Sequence, residues 1–345
     1  MRVGLVGYGL SGRFFHRPLI AAVPGLEITS VVTSDPERRR QAASELPGAR
    51  LSSAPEELLR SADEHDLIVV ATATATHAEV AGAALRAGLH VVVEKPVAPT
   101  AAEVRALAEV AASAGRMLVP FHNRRFDADH LTFVRLRDDG VLGTVLRYES
   151  RFERFRPLPD PGAWRERTPS HQGGGILLDL GTHLVDQAVT LFGRPTGVYA
   201  EIDHRRGGAD DDVFLALDHR DGTRTHLWAG ALAAAPGPRL RVLGTEGALV
   251  VPGLDGQEAR LRGGMAADDP VFGVEDATSW GWLQRDGGRR PVAPERGDWP
   301  AFYRQLRCAI AGEGPPPVTV EDALCVAEVL DAARRSAEEG AVVRL

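Results

Sequence analysis

The chain has 345 residues, of which 44% are hydrophobic and 25% are charged, and this length and composition are typical of a globular protein with two domains. Its formal net charge of −7 offers no basic surface to nucleic acid or to an anionic membrane. The sequence has no apolar run of membrane-spanning length and no signal-peptide pattern, and its two cysteines do not form a disulfide framework. We therefore expect a cytoplasmic protein with neither nucleic acid nor membrane as a partner.

The first segment predicts a site for a dinucleotide. An apolar strand over residues 2–6 runs into residues 7–12, GYGLSG, which fit the pattern G-x-G-x-x-G, and a helix is expected over residues 13–22. In this context Gly7 makes the tight turn, Gly9 lets a pyrophosphate approach the backbone, and Gly12 lets the helix pack closely. The free N–H groups at the start of the helix would then bind the phosphates.

The end of the second strand, predicted over residues 26–33, bears on which nucleotide binds. An acidic residue there would accept hydrogen bonds from the ribose of NAD, but the chain has Thr33 and Ser34. These hydroxyls, with Arg38 on the following helix, favour the 2′-phosphate of NADP, and NAD is the second choice. Asp35 is the competing ribose ligand, although its position also suits the cap of that helix. Arg40 is expected on a solvated helix face.

Lys95 is the most distinctive residue of the chain. It is the only lysine, and the other 39 Lys and Arg residues are all arginine. An ammonium group can shift its pKa and move a proton, which a guanidinium cannot do. Lys95 follows an apolar strand over residues 91–93, and Pro96 then ends that strand. The lysine is therefore expected at the carboxyl end of a parallel strand, where open α/β sheets bind ligands.

Further strands and helices alternate as far as residue 122. Strands are predicted over residues 67–71 and 117–121, and helices over 78–87 and 101–114. This alternation predicts a doubly wound parallel sheet in a dinucleotide-binding Rossmann domain over residues 1–122. His77 lies at the start of one of the helices, where it could either line the cofactor site or cap the helix.

The pattern changes over residues 123–345, where several strands follow one another without intervening helices. This arrangement predicts an α+β domain with a large, mainly antiparallel sheet for substrate binding and oligomerisation. The exposed face of that sheet would pair two copies, so a homodimer or homotetramer is expected. Residues 253–297 are predicted to be loops, and two helices over 299–311 and 320–339 end the chain. The last helix could pack back on the first domain.

Asp179 and His183 form a second candidate pair. On a helix they would lie four residues apart on one face, so the carboxylate could orient the imidazole as a general base. The glycine run at residues 173–175 would let a ligand approach closely. A metal site made of Asp179, His183 and Asp186 is disfavoured because no further ligand follows at the spacing of a zinc site.

Taken together, the glycine turn, Glu94-Lys95-Pro96 and the segment with Asp179 and His183 resemble the Gfo/Idh/MocA oxidoreductase family. Residues 122–127, 154–157 and 164–166 resemble its branch of NADP-dependent scyllo-inositol dehydrogenases. One departure is Ala73, which follows Thr72 where the family often has proline. The resemblance implies a nicotinamide-binding Rossmann domain, a second α+β domain, and catalysis by Lys95, Asp179 and His183.

We therefore predict reversible hydride transfer between a nicotinamide and a secondary alcohol of a polyol or sugar. In this hypothesis His183 takes the hydroxyl proton, Asp179 orients His183, and Lys95 holds the substrate oxygen. Predicted cofactor contacts are Gly7, Tyr8, Gly9, Leu10, Ser11, Gly12, Thr33, Ser34, Arg38, Thr72, Thr74, His77, Glu94, Lys95, Asn123, Trp164 and Arg165. Predicted substrate contacts are Lys95, His122, Arg124, Asp179 and His183.

Two other functions remain open at this point. A non-catalytic regulator on the same fold could keep the glycine turn and sense the nucleotide. An enzyme that reduces a C=C or C=N bond could keep both the fold and the cofactor. Arg124, Arg156 and Arg165 could bind either a cofactor phosphate or an acidic substrate.

Overall fold

The computed structural model describes residues 1–160 and 162–345, which build two β-sheets with their associated helices. The strands of the first sheet are all parallel: β1 (Arg2–Val6), β2 (Glu27–Val32), β3 (Arg50–Ser52), β4 (Leu67–Val70), β5 (His90–Val93) and β6 (Leu118–Pro120). Their spatial order is β3-β2-β1-β4-β5-β6, so the order reverses between β1 and β4. The predicted doubly wound parallel sheet is confirmed, and the loops after β1 and β4 flank its switch point.

The helices of this part are α1 (Arg17–Ala21), α2 (Pro36–Glu45), α3 (Pro55–Leu59), α4 (His77–Arg86) and α5 (Ala101–Ala114). The helix expected over residues 13–22 is not uniform, because Gly12–His16 forms a π-helical turn before α1. The N–H of Arg17 donates to the carbonyl of Gly12, five residues back. Pro18 has no N–H for the bond of the next α-helical turn, which favours this local widening.

The second sheet has nine strands in the order β14-β13-β12-β11-β7-β10-β9-β8-β15. Only β7 and β10 pair in parallel, so the predicted mainly antiparallel sheet is confirmed. The strands are β7 (Val145–Glu153), β8 (Gly197–Asp203), β9 (Asp212–Asp218), β10 (Arg224–Gly230), β11 (Leu240–Gly244), β12 (Gly247–Val251), β13 (Gly281–Arg285), β14 (Gly288–Val292) and β15 (Val343–Arg344).

The two faces of the second sheet differ. One face forms a hydrophobic core with α8 (Thr182–Phe192) and α11 (Val320–Glu339). The other carries Phe214, His226 and Trp228, whose rings contact one another. An oligomer formed through this second face stays a prediction.

The prediction of loops over residues 253–297 is wrong. This segment contains the helix α9 (Gln257–Arg262) and the hairpin of β13 and β14, which extends the second sheet by two strands. The hairpin was missed because its outer strand is polar and contains a proline, which is usual only at a sheet edge. The short strands β3 and β15 were also missed.

The last two long helices pack against the first sheet. The helix α10 (Pro300–Ile310) contributes Phe302 and Tyr303 to the core on one face of that sheet, together with Trp299 just before it. Ala327 of α11 joins the core on the other face. The Asp331 carboxylate also accepts the N–H at the start of α5, over 2.9 Å. The domain boundary at residue 122 therefore stays a prediction. The second part also contains α6 (Ala128–Asp138) and α7 (Trp164–Arg167).

No helix within residues 1–160 or 162–345 combines the length and the apolar character that crossing a membrane requires.

The glycine run before α8 is explained by packing within the protein. A Cβ atom on Gly173 would lie 2.7 Å from Thr74 Cβ, and one on Gly174 would lie 1.8 Å from the carbonyl oxygen of Thr168. A Cβ atom on Gly175 would lie 1.8 Å from Oδ2 of Asp210. The close approach expected from a ligand is therefore made by side chains and backbone of the chain itself. This packing fixes the segment that enters the candidate site.

We predict that Gly175→Ala destabilises the fold by about 3 kcal/mol, because a left-handed backbone (φ +88°) and a collision with Asp210 act together. Gly222→Ala is the matched control, since Gly222 has φ +87° but nothing within 4 Å, and it should cost only about 1 kcal/mol. Thermal melting followed by circular dichroism compares the two variants. Equal losses would show that the contact with Asp210 does not require glycine.

Candidate active site

Lys95 lies just beyond β5, at the carboxyl edge of the parallel sheet. Its Nζ donates to the backbone carbonyl of Asp179 at 2.5 Å and to Oδ1 of the same residue at 2.9 Å. The ammonium of the only lysine is therefore held by a residue from the second part of the chain. An ammonium has three N–H donors, and Asp179 uses two of them.

Asp179 lies in a second π-helical turn, Leu177–Gly181, which precedes α8. Arg165 Nε lies 3.4 Å from the same carboxylate oxygen that accepts from Lys95. Burial by itself would raise the pKa of Asp179, but the charges of Lys95 and Arg165 outweigh it and lower that pKa far below its usual range. Asp179 is therefore an anion that contacts two cations, Lys95 and Arg165.

His183 lies in the first turn of α8 and is buried. The hydrogen bond expected between Asp179 and His183 does not form, and Nδ1 of His183 is buried without a hydrogen-bond partner in the described part of the chain. The π-turn explains the difference, because its wider turns rotate Asp179 away from the face that it would share with His183 in a regular α-helix. Burial, followed by the charges of Lys95 and Arg124, holds the pKa of His183 well below its ordinary value. The imidazole is therefore neutral near pH 7.

The chain after β6 places His122 and Asn123 beside His183, but it commits Arg124 elsewhere. The His122 and His183 rings meet edge to face with centroids 6.5 Å apart, and both His122 and Asn123 are buried. Arg124 forms ion pairs with Asp127 at 3.2 Å and with Glu258 at 2.8 Å. Both acidic residues thus already engage the guanidinium of Arg124, which makes it a structural residue as well as a neighbour of the site.

Asp186, near the middle of α8, faces Arg125. The two form an ion pair at 2.6 Å, and Oδ2 of Asp186 lies 3.7 Å from His122 Nδ1. The carboxylate of Asp186 is therefore engaged by groups of the protein itself. No group of three or more His, Cys, Asp or Glu side chains in the described part of the chain could hold a metal ion.

The three glycines of the G-x-G-x-x-G turn after β1 differ in what surrounds them. Gly7 has φ +102°, and a Cβ atom there would lie 2.4 Å from the carbonyl oxygen of Ala71; one on Gly12 would lie 2.1 Å from the carbonyl oxygen of Gly7. A Cβ atom on Gly9 would meet nothing closer than Arg38 Nη1, at 3.5 Å. Packing therefore explains Gly7 and Gly12, whereas the neighbour of Gly9 is the end of one flexible side chain.

The side chains of this turn point in different directions. The Tyr8 hydroxyl donates to Glu45 at 2.7 Å and the ring is buried, so Tyr8 can offer a cofactor only its backbone. Leu10 is exposed. Ser11 Oγ donates to the carboxylate of Glu94, which links the turn to the end of β5.

The arginines after β2 fall into three environments. Arg39 donates to Ser53 Oγ and to the carbonyl of Leu51, and Arg40 forms an ion pair with Glu37. The exposed guanidinium of Arg38 forms no ion pair with any residue in 1–160 or 162–345, and it lies beside Gly9.

Asp35 accepts hydrogen bonds from the N–H groups of Glu37 and Arg38, both at 2.9 Å, and therefore caps α2. The bond from Arg38 lowers the pKa of its carboxyl group. Thr33, which is buried, and Ser34, which is exposed, border this cap.

The loop after β4 is held from within. Thr76 Oγ1 donates to Thr72 Oγ1 at 2.8 Å, and Thr74 packs against Gly173. The fully buried His77 bridges the carbonyls of Pro96 and Thr72, at 2.9 Å and 3.2 Å. It is the first residue of α4 and does not cap it. His77 therefore ties this loop to the chain just after Lys95.

The segment with Trp164 and Arg165 reaches the site through Arg165. The guanidinium carbon of Arg165 lies 4.7 Å from the centre of the Trp164 ring, and Arg165 also contacts Asp179.

The sequence analysis did not assign a role to Arg154, which follows β7. Its Nε is buried and has no hydrogen-bond partner among the described residues, and burial followed by the charge of Arg156 lowers its pKa. The signal in the sequence was the segment 154–157, whose resemblance to the inositol-dehydrogenase branch was noted without a role for Arg154.

Comparison with known proteins identifies the family. The profile described as an oxidoreductase family with an NAD-binding Rossmann fold matches residues 1–122, and that of the Gfo/Idh/MocA C-terminal domain matches residues 130–250. The oxidoreductase YdgJ of Escherichia coli K12 is 39% identical to this chain, and the alignment covers 100% of this chain and 99% of YdgJ.

A second relative is scyllo-inositol 2-dehydrogenase (NADP(+)) IolW of Bacillus subtilis 168, which is 32% identical over 100% of this chain and 96% of its own length. The solved structure of yvaA from Bacillus subtilis superimposes with a TM-score of 0.93 at 32% identity, and it covers 100% of this chain and 98% of yvaA. The resemblance found in the motifs is thereby confirmed. The chain belongs to the Gfo/Idh/MocA family of oxidoreductases, and its residues 1–122 carry the NAD-binding Rossmann fold of that family.

Proposed function

We propose that the protein transfers a hydride between NADP and a secondary alcohol of a cyclic polyol or sugar. The observation that carries the proposal is the Lys95–Asp179 ion pair, which lies at the carboxyl edge of the parallel sheet together with the neutral His183. The name of the IolW relative, an NADP-linked scyllo-inositol dehydrogenase, supports an inositol-like substrate.

The residues around the glycine turn fit a dinucleotide. A Cβ atom on Gly9 would contact only the side chain of Arg38, so no fixed backbone blocks the approach of a pyrophosphate, and the N–H groups at the start of the following turn can bind it. Arg38 forms no ion pair with any residue in 1–160 or 162–345, which suits a 2′-phosphate. Asp35 uses Oδ1 to accept two backbone N–H groups as the cap of α2, which leaves only Oδ2 for a ribose. These observations support NADP over NAD.

The chain supplies proton transfer and charge stabilisation, while the nicotinamide, when bound, accepts or supplies the hydride. His183 is neutral and takes the hydroxyl proton during oxidation. Lys95 has one N–H donor left after its two contacts with Asp179, and this donor holds the substrate oxygen and stabilises developing negative charge. Asp179 therefore orients Lys95, in place of the role beside His183 that the spacing suggested.

We expect Lys95→Ala to bind NADPH nearly as tightly as the wild type and to turn over at least about 10²-fold more slowly, because it loses the cation at the substrate oxygen. Lys95→Arg is the matched variant: it keeps Asp179 paired, but a flat guanidinium cannot take the place of the ammonium, so turnover should stay low. Steady-state kinetics and NADPH titration measure both effects. Near-normal turnover in Lys95→Ala would contradict this role.

Arg38→Ala should weaken NADPH binding roughly 10- to 100-fold, because charge-assisted hydrogen bonds to the 2′-phosphate are lost. NADH has no such phosphate, so its binding should be nearly unchanged. Arg40→Ala is the control, since Arg40 pairs with Glu37 on the solvated side of α2 and neither affinity should change. Fluorescence titration with each nucleotide gives the dissociation constants. A similar loss for both nucleotides would refute a 2′-phosphate site, and a wild-type preference for NADH would return Asp35 as the ribose ligand.

The pH dependence of oxidation tests His183 as the base. A base must be unprotonated, and a pKa held below the ordinary value of 6.5 keeps His183 unprotonated down to lower pH. The acid limb of kcat/KM for the alcohol should therefore lie below pH 6.5. His183→Ala should lose roughly 10²-fold or more in activity together with that limb. A limb above pH 6.5, or one that survives in His183→Ala, would assign the base elsewhere.

The substrate is identified by an NADP-linked screen of inositols and aldoses. The screen should include sugar acids, because Arg154 near Asp179 has a buried Nε without a partner and could bind a carboxylate. Activity on no secondary alcohol, with cofactor bound, would move the assignment to reduction of a C=C or C=N bond.

A further inference from the structure

A buried chain of hydrogen bonds connects α10 to the glycine turn. The Tyr303 hydroxyl oxygen lies 2.6 Å from His16 Nδ1, and His16 Nε2 lies 3.2 Å from Glu94 Oε1. Ser11 Oγ donates to that same oxygen of Glu94. Tyr303 and His16 are fully buried. The chain therefore joins residues that are up to 287 positions apart in the sequence.

The chemistry of the groups fixes the direction of these hydrogen bonds. An ionised carboxylate only accepts, so Glu94 accepts from Ser11 Oγ, from His16 Nε2 and, at 3.0 Å, from the backbone N–H of Lys95. In the tautomer of His16 that carries its proton on Nε2, this nitrogen donates to Glu94 and Nδ1 accepts from the Tyr303 hydroxyl. The tyrosine hydroxyl thereby favours the tautomer that can donate to Glu94.

The protonation states agree with this direction. Burial and the charge of Glu94 raise the pKa of Tyr303 well above its ordinary value, so the phenol keeps its proton. Burial would raise the pKa of Glu94, but the hydrogen bond from His16 and the other neighbouring groups lower it to about 2. Glu94 is thus an anion at neutral pH.

The surroundings keep the chain rigid. His16 ends the π-helical turn Gly12–His16 and packs on Phe121 with ring centroids 4.2 Å apart. Phe121 in turn meets Phe302 edge to face at 4.8 Å. Packing against these aromatic rings restricts the side chains of His16 and Tyr303 to the positions in which they contact each other.

We propose that Tyr303 and His16 are positioning residues: they hold the Glu94 carboxylate, and through it Ser11 of the glycine turn and the main chain at Lys95, in the arrangement that binds the dinucleotide and presents Lys95. The inference rests on the proposed function. Neither residue needs to touch the cofactor or the substrate. A helix near the end of the sequence thereby takes part in building a site of the first sheet.

A double-mutant cycle tests the proposal. Tyr303→Phe should weaken NADPH binding roughly 3- to 10-fold, the worth of one buried hydrogen bond, and lower kcat as well. In the background of Glu94→Ala the same change should have less than about a twofold effect, because the carboxylate that Tyr303 helps to hold is gone. Effects that multiply independently would overturn the proposal.

A second pair of variants keeps the test decisive if Glu94→Ala does not fold. His16→Gln retains a donor at the ε position that can reach Glu94, so its NADPH affinity should stay within about threefold of the wild type. His16→Asn reaches only the δ position, towards Tyr303, and should bind roughly 10-fold more weakly. Equal losses in the two variants would overturn the proposal.

Tyr148→Phe is the control for a merely structural effect. Tyr148 is an equally buried tyrosine in the core of the second sheet, so its change should lower the melting temperature without changing NADPH affinity. If Tyr303→Phe behaves in the same way, the positioning role fails and the proposed function stands. If the wild-type protein binds neither NADPH nor NADH, the proposed function fails and the positioning role fails with it.

Discussion

The ion pair between Lys95 and Asp179 is the interaction on which the candidate site depends. It joins the end of a parallel strand to a turn that packs on the other sheet, so it fixes the two parts of the chain relative to each other at the place of the chemistry. Buried charges are tolerated only when they are paired, and removing one partner leaves the other uncompensated. The same cation also lowers the pKa of His183. A single ammonium therefore joins the two parts of the site, stabilises Asp179 as an anion and adds to the effect of burial on the pKa of His183.

Two π-helical turns shape the site, one on each side of that ion pair. The turn Gly12–His16 brings His16 under Glu94, and the turn Leu177–Gly181 carries Asp179 to Lys95. A π-turn adds one residue to the helical repeat, so every side chain after it is displaced around the axis. The spacing of Asp179 and His183 was interpreted with α-helical geometry, and the pairing inferred from it failed for this reason. The first π-turn likewise positions the buried His16. Each π-turn therefore places a side chain that contacts a residue at the end of β5.

The parts of the fold and site that the sequence predicts are those encoded by neighbouring residues. The glycine turn, the strand before Lys95 and the helix over residues 101–114 each depend on nearby positions, and the structure has all of them. The hairpin of β13 and β14 could not be predicted from its composition. It becomes the edge of the sheet only because β13 pairs with β12 in the folded chain. The bond between His16 and Tyr303 and the contact between Gly175 and Asp210 were equally invisible, because each joins residues brought together only by the tertiary fold.

Arginine shows most clearly why residue type alone could not assign function in this chain. With 39 arginines and one lysine, the presence of a guanidinium at a given position carries little information. What separates them is whether the protein itself supplies the counter-charge. Asp127 and Glu258 already engage Arg124, whereas Arg38, beside Gly9, forms no ion pair with any residue in 1–160 or 162–345. A cation that the fold leaves uncompensated can gain stabilisation from a ligand, and a paired one must first give up a partner. The ion pairs of each arginine are seen only in the structure. They are therefore a better indication of an anion-binding site in this protein than residue type alone.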